Sequence, residues 1–435
     1  EMKKTFYTIL LLLLAYTLMP GQTITPIAFN LAAPIDVCLD LDGNPWITQS
    51  GTGMNDGVVQ KIRPDGSKET IIAGLPSFFN AAAKELQGVL STLVLSDGRI
   101  LLCQGEGIDS LSSSILVFHW DDYLAKGAPL TPGDQRSAIS LHAFAKSKGF
   151  EKSNPYSMVV DANGNFLIAD AGANAIFKYL VGTQELELLA ALPSFPNPSP
   201  VGPPFVQSVP TKILAHPGGG YLVSTLTGFP FLDGAANIFR LMDDGSLTVH
   251  ASGMTLLTDM DFDPSDGGLL ALQFARFGPV DTTFGFIFGS AQLVKVYPDG
   301  SLDTLLAGFG PSPGLAIAAD GTAYMTHLFL GQLLKTDVLT GLLDFRLPQF
   351  KPLTVLPNPN DGRFSATLLV EKPGKANYQL TNLLGREVAC GSTGILPEGE
   401  NQLLLDFSNR PIANGTYLLT LRTDKGNYVS KVIFR

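Results

Sequence analysis

Eight residues carry side chains suited to binding or catalysis: Asp36, Gln104, Glu106, Asp170, Thr225, Asp259, Gln273 and His327. Each lies at or just beyond an end of a short apolar run. Carboxylate and amide oxygens are hard donors that suit Ca2+. Asp36, Glu106, Asp170 and Asp259 are the four expected to hold such an ion. The same set would serve a metal-assisted lactonase or esterase, with one carboxylate as base. A plainer role is open to Asp170 and Asp259, which would accept backbone N–H groups at strand ends and tie neighbouring sheets together. Every one of these roles needs the strands gathered about one axis.

Other chemistries lack their residues. The five histidines are His119, His142, His216, His250 and His327, and none is paired at metal-ligand spacing. There is no G-x-S-x-G, no P-loop and no G-x-G-x-x-G after a strand. Gly105-Glu106-Gly107 follows an apolar run but opens no helix, so it is not a phosphate loop.

The elements that must position these residues repeat along the chain. The unit is clearest at Asn154–Lys178. Ser157–Val160 is a β run, Asp161–Gly164 a turn, Phe166–Ala169 a second run and Ile176–Tyr179 a third, with Glu185–Ala190 as the fourth. Two apolar runs joined by an Asn-Gly turn form the strongest short-range hairpin signal. The first turns of six copies fall at Gly43, Gly98, Gly164, Gly219, Gly267 and Gly321. Four strands at a period of roughly 50 to 65 residues predict a propeller blade, and a ring of blades buries faces that one blade cannot. The outermost strand of the sixth copy is either Leu343–Phe345 or the N-terminal Ile24–Leu31. Ser77–Gln87, with Ala81 to Ala83, reads as a short helix. Asp121–Arg136 interrupts the second copy before a last strand at Ser137–Phe144. Ser194–Val209 holds five prolines and reads as a loop.

Composition agrees with an all-β chain: 435 residues with 45 Gly, 30 Pro and 16% charged residues. The net charge of −10 argues against nucleic acid, which needs a basic patch. Met2, Lys3 and Lys4 before the apolar run Phe6–Leu18 read as a signal peptide, residues 1–22, leaving no membrane span in the mature protein. Cys38, Cys103 and Cys390 are too scattered for a disulfide framework, and the first two read as buried thiols. Phe229, Phe231, Phe277, Phe284 and Phe286 lie in loops after the fourth and fifth copies, as a hydrophobic rim or as loop packing.

Beyond Lys351 the pattern changes to short strands punctuated by Asn-Pro and Asp-Gly breakers, which predicts a small sandwich. Leu356–Gly362 reads LPNPNDG, Tyr378–Val388 reads YQLTNLLGREV, Asn414–Leu419 reads NGTYLL and Val429–Arg435 reads VSKVIFR. In this order the four motifs resemble the type A sorting domain of proteins exported by the type IX secretion system of Bacteroidota. The motif positions are Pro357, Asn358, Pro359, Gly385, Gly415 and Lys431. The resemblance implies the secretion translocon as a partner and the cell surface as the destination. The repeats resemble the ScyD/ScyE family, related to NHL propellers. That likeness rests on Asn154–Tyr156, Val160–Gly164, Ala169–Asn174, Val209–Thr211, Leu226–Phe231 and Leu257–Asp259. The family's activity is undefined, so it implies a fold and no reaction.

The expectation is therefore a six-bladed β-propeller over 23–350 and an immunoglobulin-like β-sandwich over 351–435. The function expected is binding or scaffolding at the cell surface, with an extracellular ligand or protein as partner. A Ca2+-dependent hydrolase in the channel is the alternative.

Overall fold

The computed structural model describes residues 24–82, 85–280, 283–336, 350–370, 372–382, 387–410, 412–423 and 426–435. The signal peptide, Leu343–Phe345 and Gly385 lie outside them. The chain divides into two compact units, with the boundary after Gly341.

In the first unit the described residues form six four-stranded antiparallel sheets. All six glycines of the expected first turns have positive φ, between 71° and 87°, where a side chain would be strained. In the third sheet, for example, Asp161 Oδ1 accepts the N–H groups of Asn163 and Asn165, both at 2.8 Å, and closes the turn. The first strands are Pro34–Leu39, Val89–Val94, Pro155–Val160, Pro210–Ala215, Leu257–Phe262 and Leu315–Ile317. Each touches the next, and the last touches the first, so the arrangement is a closed, propeller-like ring. The core lies in layers between adjacent sheets. One layer joins Trp46, Val59 and Ile72 of the first sheet to Ile100, Leu102 and Phe118 of the second.

The sixth sheet takes its outermost strand from the N-terminal side: Thr25–Ala28 pairs antiparallel with Gln332–Thr336. The described residues of Ser77–Gln87 are not helical. Phe78–Asn80 pairs with Glu85–Gln87 as a hairpin. The last strand of the second sheet is shorter than expected, Ser137–Ser140, because His142–Ser147 turns helical. The interruption before it is the helix Trp120–Lys126, capped by His119 Nδ1 accepting from Asp121 N and stopped by Gly127 at φ 61°. The proline-rich stretch holds a hairpin, Ser194–Pro196 with Phe205–Gln207.

In the second unit, five strands order as Phe350–Pro352, Gly426–Phe434, Gly415–Thr423, Gly374–Asn382 and Glu387–Leu396. Three more order as Thr354–Leu356, Arg363–Val370 and Gly399–Asp406. Strict alternation along Arg363–Val370 puts Phe364, Ala366, Leu368 and Val370 inward. They share one core with Leu380, Leu419, Leu421 and Val432 of the larger sheet.

Candidate functional site

Two rings of side chains surround the axis of the first unit. The inner ring stands on the first strands, five of which bulge near their start. The bulges carry Asp36, Ser91, Ser157, Lys212 and Asp259. Gly314 takes the sixth place, where a Cβ would lie 2.7 Å from Asp36 Cα. Asp36, Ser91, Ser157, Lys212 and Asp259 line one small pocket with Tyr156.

These side chains stitch the sheets together. Asp36 Oδ2 accepts Thr92 N–H at 3.1 Å, Ser157 Oγ accepts Ile213 N–H at 3.1 Å, and Asp259 Oδ2 accepts Leu315 N–H at 2.8 Å. Each bond spans 56 positions and crosses from one sheet to the next. Lys212 Nζ then lies 2.7 Å from Asp259 Oδ1, with 19% and 3% of the two side chains exposed. Burial would lower the Lys212 ammonium, but Asp259 and Asp36 overcome it and hold it charged. Burial raises both carboxyls, against the pull of Lys212, and Asp259 reaches about 7. Two acids thus face one ammonium.

The outer ring closes the second strands: Gln49, Gln104, Asp170, Thr225, Gln273 and His327 are their last residues. Most of their polar atoms are engaged locally. Asp170 accepts from Ser153 Oγ at 2.5 Å, Asn154 N at 2.7 Å and Ala173 N at 2.9 Å. Thr225 Oγ1 exchanges two hydrogen bonds with the Asn237 backbone. Gln273 accepts from Thr255 N and donates to Gln292 Oε1. His327 Nδ1 accepts from Leu330 N, and burial lowers its ring. Gln104 donates from Nε2 to Pro76 O, while its Oε1 has no partner among the described residues. Glu106 lies beyond the ring, 4.0 Å from Lys152 Nζ.

The four carboxylates expected to hold Ca2+ are therefore not gathered. Asp36 and Asp259 meet at the inner ring, Asp170 belongs to the outer one and Glu106 to a loop. Among the described residues no three His, Cys, Asp or Glu side chains form a metal set. The donor set does not fit a cation, because the Lys212 ammonium is already paired with Asp259 and its charge acts on Asp36 as well. Lys212 and Gln49 were missed in the sequence reading. The signal for Lys212 was its register: it stands two residues after Pro210, as Asp36 follows Pro34 and Ser157 follows Pro155.

Cys38 and Cys103 are free thiols, half-buried and buried, and burial pushes Cys103 up to about 12. The aromatic loops divide. Phe231, Phe277 and Phe286 pack around Leu256, Phe274 and Ala275, whereas Phe229 and Phe284 stay 47% and 69% exposed. Phe288 and Phe329 add an exposed ring pair with centroids 5.4 Å apart. These residues share the end of the ring at which the second strands finish. At the other end, tight Gly turns link first to second strands.

In the second unit the separated motifs meet. Asn358 Nδ2 donates to Lys431 O at 2.7 Å, and Asn358 Oδ1 accepts Ile433 N–H at 2.8 Å. Gly415 opens the strand that pairs with this same terminal strand, and Pro357 and Pro359 flank Asn358.

Among curated proteins no relative matches this chain. Similar solved structures include a protein of unknown function from Bacteroides thetaiotaomicron, 13% identical, with TM-score 0.49, covering 73% of this chain and 76% of that one. Virginiamycin B lyase from Staphylococcus aureus is also 13% identical, with TM-score 0.44, covering 72% of this chain and 99% of that one. Residues 354–435 match the family described as secretion system C-terminal sorting domain. That region is thus a sorting domain of the type IX secretion system, and the chain is a secreted, cell-surface protein.

Proposed function

We propose that residues 23–350 form a six-bladed β-propeller acting as a binding or scaffolding module on the cell surface. In this reading residues 1–22 are a signal peptide, and residues 351–435 are an immunoglobulin-like sandwich read by the translocon. The repeats' likeness to the ScyD/ScyE family is part of the same reading. The observation that carries it is the contrast between axis and rim. The axis is occupied by cross-sheet hydrogen bonds and the Lys212–Asp259 pair. The rim at one end exposes Phe229, Phe284, Phe288 and Phe329. Exposed aromatic clusters of this kind mark interaction sites. A calcium-dependent hydrolase would need oxygens converging where Lys212 stands.

The test is a chain with Phe229, Phe284, Phe288 and Phe329 all changed to Ser. The expected result is an unchanged melting temperature and loss of the partner retained by cross-linking at the cell surface. Retention at the wild-type level would sink the reading.

A further inference from the structure

A second pocket opens at the same end of the ring, between the loops of the first and second sheets. Its walls include Pro76, Phe78, Gln104, Glu106, Ile108 and Asp109. Gln104 is only 1% exposed, and its Oε1 has no hydrogen-bond partner among the described residues. A buried acceptor left in this state keeps its desolvation cost until a donor reaches it. Glu106 adds a carboxylate. Its nearest ion partner, Lys152 Nζ, lies 4.0 Å away, beyond hydrogen-bond distance, on a side chain 70% exposed. Glu85, on the neighbouring hairpin, is raised first by desolvation and then by the charge of Glu106. The lining thus carries two carboxylates, Glu106 and Asp109, beside the hydroxyls and amides of Asn55, Ser77, Gln87 and Ser112, and no Lys, Arg or His side chain.

We propose that this pocket receives an alkylammonium group, the head of a lysine side chain on a partner protein. An ammonium brings three donors and no acceptor, matching Gln104 Oε1 and the Glu106 carboxylate. Pro76, Phe78 and Ile108 give its methylene stem an apolar wall. Calcium fits less well. It takes six to eight oxygens, and Asp109 Oδ1 already accepts Leu111 N–H at 2.8 Å. The pocket is too small for a sugar ring. Lys152 acts in this scheme as a loose internal competitor. The proposal takes its setting from the binding reading above but uses a different site, so the aromatic substitutions leave it intact.

The experiment titrates the full chain with the peptide acetyl-Gly-Lys-Gly-amide by calorimetry, beside the same peptide with acetyl-lysine. Saturable binding of the lysine peptide alone is expected. Glu106→Gln should weaken it about tenfold, the loss of one charge-assisted hydrogen bond. Lys152→Gln, at an exposed position that leaves folding intact, should tighten it by removing the competitor. Equal binding of both peptides, no binding, or no change in either variant would overturn the proposal. So would displacement of the peptide by CaCl2 but not by an equal ionic strength of NaCl.

Discussion

Lys212 and Asp259 form an ion pair at the axis, 2.7 Å apart, while Asp36 acts on the same ammonium from the opposite sheet. Removing one member of such a buried group leaves the others uncompensated. Lys212→Met should therefore destabilise the chain by about 3–5 kcal/mol. Adding Asp259→Asn, which keeps an acceptor for Leu315 N–H, should recover much of that loss. Urea unfolding of the two variants checks both values.

The same group makes stability depend on pH. Burial raises the folded Asp36 and Asp259 carboxyls above their unfolded values, Asp259 to about 7. Between the unfolded value and the folded one the native state binds the extra proton, so stability falls as pH rises. The stabilising contribution is complete below about pH 4 and lost on passing pH 7. Asp170 and Asp261 are raised in the same direction by burial, so the comparison must be differential. Asp36→Asn should melt closer to its pH 5 value at pH 8 than the wild type does. An identical pH slope in both chains would refute the assignment.

Ser157→Ala leaves the Ile213 N–H without its acceptor between the third and fourth sheets. The expected cost is about 1–3 kcal/mol, against a few tenths for a surface hydroxyl. Ser147→Ala, at an exposed site, is the control in the same unfolding experiment.

Asp170→Ala removes the acceptor of three hydrogen bonds at a fully buried position. It should lower stability by about 2–4 kcal/mol. A catalytic Asp170 would instead leave the melting temperature alone and abolish turnover of a lactone and ester panel.

A resident calcium at a hundred times its Kd would add about 2.7 kcal/mol of stability. With Lys212 paired to Asp259 beside Asp36, neither EDTA nor CaCl2 should move the melting temperature of the full chain. A large drop in EDTA would reinstate a metal.

The repeat was readable because its turns are chemically forced. The left-handed φ at Gly43, Gly98 and Gly164 needs glycine, and apolar runs on both sides of each turn declare a hairpin. Asp36 and Asp259 stood out by register, because they open the first strands of the first and fifth copies. Lys212 did not, since Pro-Thr-Lys-Ile reads as an ordinary strand with a solvated lysine. Only alignment of the bulges puts it inside. Ala81 to Ala83 favoured a helix by local propensity, yet the pairing of Phe78–Asn80 with Glu85–Gln87 prevailed. The partner of Gln332–Thr336 was undecidable locally, because strand pairing across the whole unit leaves no mark in either segment.

That pairing has a bearing on how the molecule is made. Thr25–Ala28 and Gln332–Thr336 close the ring from opposite ends of the first unit. During synthesis the early strand must wait, its backbone groups unmatched, until the final sheet emerges. Ring closure is thus a late event, and until then the chain is a row of half-covered blades. Clipping Thr25–Ala28 would undo that closure at a single seam.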